Sequence, residues 1–183
     1  NERDRGKFDE VLKMDDQVDI LNDAILKYLS AIRQEPLTDT QSQEFQTLIS
    51  ATINLESLAD VIESGLVDIG KGFIDHELKP SDTTRLLLRE FAAKVQQAVE
   101  DTVKAVREED ETAAGAVIAI KDDIRRLADE ALQLQSERIG VQETRHLDLV
   151  RMELELLDNL RRIYTLAKRV AKDFVPEEVA SKA

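Results

Sequence analysis

The 183-residue sequence has no cysteine and no tryptophan, and it contains only three prolines, six glycines and two histidines. The absence of cysteine excludes a disulfide scaffold, a thiol nucleophile, an iron–sulfur cluster and a cysteine zinc site. Two histidines are too few for a His-rich catalytic zinc site. Aromatic residues make up only 4% of the chain. Together with the scarcity of glycine and proline, this argues against a turn-rich β fold and favours long helices.

Long apolar runs and an excess of positive charge are also missing. The uncharged stretch 45–55 has 11 residues, whereas a membrane-spanning helix needs about 20. The formal net charge is −13, which argues against general nucleic-acid binding, because a polyanion needs a local excess of cations. The 42% apolar content is too high for intrinsic disorder. We therefore predict one folded domain without a membrane span.

Apolar residues recur at three- and four-residue spacing in five segments, whose boundaries are marked by the prolines, by Gly140 and by a cap at Asp110 or Thr112. No stretch alternates with period two. This pattern gives each helix one apolar stripe facing the core, and it predicts an all-α, up-and-down bundle of about five long helices. The segments cover residues 7–34, 39–75, a third from Pro80 and Ser81 through Val106, a fourth from a cap at Asp110 or Thr112 through Leu134, and a fifth from Leu147 to Phe174.

The helix pattern repeats within the chain. Shifting the sequence by 102 residues superposes the apolar positions of two helices and the loop between them, which makes coincidence less probable than for a single helix. On this register the third segment opens a second repeat. The superposed pairs include Val18 on Ile120, Ile25 on Leu127, Ile32 on Leu134, Phe45 on Leu147, Leu48 on Val150, Leu55 on Leu157, Leu58 on Leu160 and Ile62 on Tyr164.

The repeat predicts how the domain is organised. We expect a single domain over 1–183, with a partial first repeat over 7–79, a second repeat over 80–177 and a disordered tail over 178–183. The first repeat would lack its first helix, which leaves an apolar groove along the bundle. A partner helix or a second copy of the chain would cover such a groove, so we predict a homodimer.

An acidic motif lies in the last helix of each repeat. Residues 54–63 read Asn-Leu-Glu-Ser-Leu-Ala-Asp-Val-Ile-Glu, and their repeat partners over 156–164 read Leu-Leu-Asp-Asn-Leu-Arg-Arg-Ile-Tyr. With this helix layout the sequence resembles the PhoU family, which consists of six-helix proteins with two three-helix repeats and a Glu/Asp-x-x-x-Asp motif in each. It resembles above all the PhoU-like domains at the cytoplasmic C-terminus of bacterial sodium/phosphate cotransporters.

The resemblance implies a metal site at the acidic motifs. Its ligands would be Glu56, Asp60, Glu63 and Asp158, and its cofactor a divalent or iron-type metal ion. Residues i and i+4 share a helix face, so Glu56 and Asp60 present their carboxylates together. The second motif departs from the family pattern, because Arg162 stands where an acid would pair with Asp158 and would repel a cation. An ordinary solvated acidic face is the alternative.

The resemblance also implies a function. The chain would be a non-enzymatic regulatory or interaction domain of phosphate uptake, cytoplasmic and tethered beneath the membrane, with the membrane domain of a phosphate transporter or another membrane protein as its partner. A generic helical adaptor or oligomerisation module unrelated to phosphate remains the alternative. No Ser/His/Asp grouping has a catalytic context, and the single Glu143-x-x-His146 pair is too little for a carboxylate-bridged metalloenzyme.

Two further features of the sequence are the glycine-rich stretch 65–72 and the basic residues of the last helix. Residues 65–72 nearly spell a phosphate-binding loop, but Gly72 stands where magnesium needs Ser or Thr. We expect a helix end there, with Gly70 or Gly72 as its cap. Basic residues crowd the last helix, where they oppose the helix dipole or dock against an acidic partner or an anionic membrane. They are Arg161, Arg162, Lys168, Arg169 and Lys172.

Overall fold

The computed structural model describes residues 2–138 and 144–180, which form an all-α bundle without a strand, as predicted. No helix in these ranges is long and apolar enough to cross a membrane. The elements are α1 (Glu2–Ile32), α2 (Asp39–Asp60), a π-helical segment (Val61–Leu66), α3 (Val67–Asp75), α4 (Asp82–Glu108), α5 (Glu111–Ala119), α6 (Lys121–Arg138), α7 (Thr144–Lys172) and the single turn α8 (Glu177–Ala180).

Side-chain caps fix the helix starts that follow Pro36 and Pro80. The Thr38 hydroxyl accepts a hydrogen bond from the Gln41 backbone N–H at 3.3 Å, and the Gln41 side-chain oxygen accepts one from the Thr38 N–H at 3.0 Å. This reciprocal pair is the predicted capping box. Ser81 begins α4 in a similar way, because its hydroxyl accepts from the backbone N–H three residues later.

The fourth of the predicted helical segments also starts at a predicted position. Of the two candidate caps, Asp110 is the one used, and its carboxylate accepts from two backbone N–H groups of the first turn of α5 at 2.9 and 3.0 Å. This segment consists of two helices, α5 and α6, which are separated at Ile120. The break expected at Gly140 lies outside the described residues.

The glycine-rich stretch 65–72 is not a helix end, so the prediction of a glycine cap is wrong. It lies within the π-helical segment and α3, and α3 continues past Gly70 and Gly72. A Cβ on Gly72 would lie 2.5 Å from the Met152 Cε of α7, and one on Gly70 would lie 2.8 Å from the Phe8 ring of α1. The glycines therefore allow neighbouring helices to approach closely.

Helices α4 and α7 form the centre of the bundle. They pack against each other, α7 also packs on α2, α5 and α6, and α1 packs mainly along α2. Apart from Phe91 and Tyr164, the buried side chains of the main core cluster are aliphatic or small. Its most buried members include Phe91, Ala98, Val117, Leu127, Ala167 and Ala171.

The apolar stripe predicted on the first helix is not in the core. Leu29 is buried, but Leu21 and Tyr28 are 60% and 68% exposed. The expectation that every stripe faces the bundle is therefore wrong for α1. The reason is geometric, because α1 packs mainly on α2 and in the described residues no further helix covers its other apolar positions.

The chain end also differs from expectation over part of its length. We expected disorder from residue 178, but Glu177–Ala180 form the helical turn α8. The backbone N–H groups of Val179 and Ala180 donate to the Pro176 carbonyl at 2.8 and 3.1 Å. Pro fits the start of a helix because its missing N–H is not needed there. Residues 181–183 lie outside the described ranges.

Candidate metal centre

Helices α1 and α2 bring three carboxylates together. Asp15 and Asp19 lie one turn apart on α1, so they share a helix face, and Asp60 is the last residue of α2. One carboxylate oxygen of each lies within 4.8 Å of the others. Carboxylate oxygens are the ligands that hard and borderline cations such as Mg²⁺, Mn²⁺ and iron prefer.

The electrostatics of this acidic cluster suit a cation. Asp15 is half-buried, whereas Asp19 and Asp60 are exposed. Burial raises the pKa of Asp15 above its ordinary value, and the negative charges of Asp19, Glu63, Asp60 and, more weakly, another neighbouring aspartate raise it further. Within the described part of the chain, none of the three aspartates forms an ion pair with a basic side chain. A bound cation would relieve this repulsion.

The π-helical segment shapes the edge of the cluster. It starts directly after Asp60 and contains Glu63, whose charge reaches Asp15. The Ser64 hydroxyl donates to the Asp60 backbone carbonyl at 2.7 Å. A π-helical turn rotates the residues after it relative to an α-helix, and such turns recur at functional sites. Here it contains Glu63, whose charge acts on Asp15 of α1.

The four ligands predicted from the sequence are not all in one place. Asp60 belongs to the cluster and Glu63 lies beside it. Glu56 lies one turn before Asp60, outside the three-carboxylate group, and its carboxylate accepts from the Ser57 hydroxyl at 3.4 Å. Asp158 is on α7 and lines a separate groove of about 640 Å³ between α7 and the π-helical and α3 segments.

Sequence reasoning missed Asp15 and Asp19. They form an Asp-x-x-x-Asp pair of the same kind as Glu56 and Asp60, so a signal was present. In a chain with 38 acidic residues, however, several such pairs occur by chance. Only the contact between α1 and α2 shows that this pair faces Asp60.

The second repeat has no counterpart of the cluster. With the register of 102 residues, Val117 stands in place of Asp15, Lys121 in place of Asp19, and Arg162 in place of Asp60. Two basic side chains thus replace two of the three carboxylates. The positions of the second repeat that are equivalent to the cluster therefore do not offer a cation site of this kind.

Comparisons with known proteins identify the fold. The chain is similar to the crystal structure of PhoU from Pseudomonas aeruginosa, with a TM-score of 0.83 and 17% sequence identity. The match covers 97% of this chain and 83% of that chain. No protein-family model matches the sequence, and no curated protein matches it. The chain therefore has a PhoU-like, all-α fold.

Proposed function

We propose that the chain is a non-enzymatic regulatory or interaction domain linked to phosphate uptake, and that its partner is the membrane domain of a sodium/phosphate symporter. The observation that carries the proposal is the PhoU-like fold over nearly the whole chain. A rigid bundle with charged faces suits a binding role. The proposed location is the cytoplasmic face of the membrane, where such a domain would act on the transporter.

Phosphate transport provides the test. The initial rate of radiolabelled phosphate uptake is measured in bacteria that express a sodium/phosphate symporter, with and without co-expression of this chain. We expect the chain to lower the rate and to sediment with membranes that contain the symporter. Cells without the symporter control for other uptake routes. Unchanged uptake with membrane retention would favour the generic adaptor, and unchanged uptake without retention would contradict both roles.

We also propose that the acidic cluster holds a divalent or iron-type metal ion. Asp15, Asp19 and Asp60 would be the ligands, with Glu63 beside them. The ion would join α1 to the end of α2 and neutralise the repulsion between their carboxylates. Its presence would also change the charge that this face offers to a partner. Glu56 and Asp158 complete the set implied by the family resemblance, but they lie outside the cluster.

Measurement of the bound metal shows which of these carboxylates are ligands. Protein purified without chelator is measured by mass spectrometry for bound manganese, iron and zinc. We expect Asp60→Asn to lower the metal content several-fold, because it removes one of three clustered ligands. Asp158→Asn is the matched control and leaves the content unchanged, because Asp158 lies in the separate groove. Substoichiometric metal that Asp60→Asn does not alter would disprove the site.

Finally, we propose that a second copy of the chain covers the exposed face of α1. In the second repeat, Leu127 is the counterpart of Ile25, and it is fully buried. A twofold axis brings the same apolar face of two copies together, so the surface complements itself. The exposed apolar residues of this face, hereafter the α1 face, are Met14, Leu21, Ile25 and Tyr28.

A further inference from the structure

A groove of about 610 Å³ lies at the end of the bundle where α2 begins, α4 passes into α5 and α7 ends. Its floor is apolar and includes Leu48 of α2, together with Phe174 and Val175, which follow α7. Phe174 and Val175 also pack against the main core cluster, so the core fixes the floor in place. We call this feature the end groove. Its volume is in the range of about 300–1,000 Å³ that is usual for binding sites.

Four carboxylates surround the apolar floor. Glu44 is on α2, and Asp173 follows α7. Glu109 and Glu111 flank the turn between α4 and α5. All four side chains are exposed, and no Lys, Arg or His among the described residues lines the groove. In the same part of the chain, none of the four carboxylates forms an ion pair.

Nothing in the surroundings of the end groove offsets this negative charge. Helices α2 and α5 begin there and α4 and α7 end there, so two positive and two negative ends of helix dipoles lie near one another and largely cancel. Of the nearby cations, Lys104 and Arg107 already pair with Asp110 and Glu108, and Lys172 does not line the groove. The carboxylates therefore set the sign of the field. Such a groove attracts a cationic ligand and repels a nucleic acid or an anionic membrane.

The arrangement favours an extended cation over a metal ion. In the described ranges, the carboxylates that come close enough for three of them to share one ion are those of Asp15, Asp19 and Asp60. The carboxylates of the end groove are more widely spaced. A ligand with several separate positive charges and an apolar part between them would contact both the rim and the floor. A peptide segment in which Lys or Arg residues flank a large apolar side chain has this chemistry.

We propose that the end groove docks a basic segment of a partner protein, with an apolar side chain of that segment on the floor and its cations at the rim. For the identity of the partner, this inference rests on the proposed function. Cytoplasmic loops of membrane proteins carry an excess of Lys and Arg, so the symporter proposed above would present segments of the required charge. No described residue of α1 lines the groove, so it lies apart from the α1 face.

Glu109 offers a variant that separates binding from folding. Its φ of 51° is left-handed, a conformation in which glycine is favoured at the end of a helix. Glu109→Gly therefore removes a rim carboxylate and relieves backbone strain in one step. Glu77 has the same conformation, with a φ of 50°, and does not line the groove. Glu77→Gly is thus the matched control, with the same change of charge and of backbone freedom.

Peptide binding tests the proposal. Short fluorescein-labelled peptides that together cover the cytoplasmic loops of the symporter are titrated with the full chain, and fluorescence anisotropy measures their dissociation constants. The rim is tested with Glu109→Gly and the double variant E44Q/E111Q, and the floor with Leu48→Gln. Thermal unfolding of every variant is recorded alongside.

We expect the peptides that combine Lys or Arg with a large apolar residue to bind. Binding should weaken about threefold or more in Glu109→Gly and Leu48→Gln, and about tenfold in E44Q/E111Q. The midpoint of thermal unfolding should not fall in Glu109→Gly, because the loss of strain offsets the added freedom of glycine in the unfolded chain. Glu77→Gly should change peptide binding less than about twofold.

Failure of every loop peptide to bind, or equal weakening by Glu109→Gly and Glu77→Gly, overturns the proposal. If E44Q/E111Q loses self-association in sedimentation equilibrium but not peptide binding, a second copy occupies the groove and the proposal is wrong. The uptake test separates this proposal from the proposed function. Uptake lowered equally by the wild type and E44Q/E111Q, without peptide binding, rejects the groove alone. Peptide binding with unchanged uptake retains the groove and rejects the role in phosphate uptake.

Discussion

At the scale of single residues, the bundle contains a buried ion pair. The Arg138 guanidinium donates to the Glu153 carboxylate at 2.6 Å, and Glu153 is completely buried. Gln135 and Thr84, both buried, also accept from Arg138 at 3.3 and 3.4 Å. These contacts join the end of α6 to α4 and α7. A carboxylate at such a site needs its partner, because an isolated buried charge is strongly unfavourable.

Removing the arginine should therefore destabilise the fold. We predict that Arg138→Met lowers the free energy of unfolding by about 3 kcal/mol or more, because it removes the guanidinium that pairs with the buried Glu153 carboxylate. Arg151→Met is the control, since its pair with Glu155 is exposed and worth about 0–1 kcal/mol. Urea denaturation measures both. The double variant R138M/E153M should recover much of the loss, and equal effects of the two single variants would contradict the prediction.

Tyr164 should make the fold sensitive to alkaline pH. Burial is the main cause that raises its pKa to about 12, and the charge of Asp122 adds to it. An unfolded tyrosine titrates near 10, so above this pH the unfolded chain loses its proton first. Stability is therefore lost as pH rises from about 10 to about 12, by up to roughly 2–3 kcal/mol.

The variant Tyr164→Phe tests whether Tyr164 causes this loss of stability at alkaline pH. At neutral pH the variant should be less stable by about 0.5–1.5 kcal/mol, because it lacks the hydrogen bond to Val117. Between pH 10 and 12 its stability should fall less steeply than that of the wild type. Parallel pH profiles for the wild type and Tyr164→Phe would show that Tyr164 does not titrate differently in the two states.

At the scale of helices, the surroundings of a glycine show whether that part of its helix touches another helix. A Cβ on Gly115 in α5 would meet nothing within 4 Å, whereas one on Gly65 would lie 2.9 Å from the Asn159 side chain of α7. Replacing an interior helical glycine by alanine stabilises a helix by about 0.8–1.0 kcal/mol. At Gly65 this gain is offset, because Asn159 has to move.

We therefore predict that Gly115→Ala raises the midpoint of thermal unfolding and that Gly65→Ala does not raise it to the same extent. Differential scanning calorimetry compares the two variants with the wild type. A larger gain for Gly65→Ala than for Gly115→Ala would mean that the approach of the π-helical segment to α7 tolerates a methyl group. The close contact assigned to Gly65 would then be wrong.

At the scale of the whole molecule, the α1 face determines the expected oligomeric state. We predict that the chain is a dimer at micromolar concentrations and that L21D/I25D is a monomer, because it places two charges in the apolar contact. Leu132→Asp is the control, since Leu132 is an exposed apolar residue on α6, away from the α1 face. Sedimentation equilibrium measures the mass. A wild type that stays monomeric would exclude the dimer.

The helix pattern could be predicted well because its causes are local. Thr38 and Gln41 are three residues apart, and Ser81 and Asp110 cap the helices that directly follow them. The apolar spacing between these caps is read over a few turns. The glycine cap at residues 70–72 was wrong because glycine serves helix ends and close contacts alike, and its neighbours in sequence do not distinguish the two.

The sequence by itself determined the all-α class, the helix starts at Thr38, Ser81 and Asp110, and the absence of thiol chemistry, because composition, caps and apolar period act over a few residues. Only the tertiary structure decided that Asp15 and Asp19 join Asp60 and that Asp158 does not. It also decided that the α1 face is exposed. These features join residues far apart in the chain, and they depend on which helix faces touch.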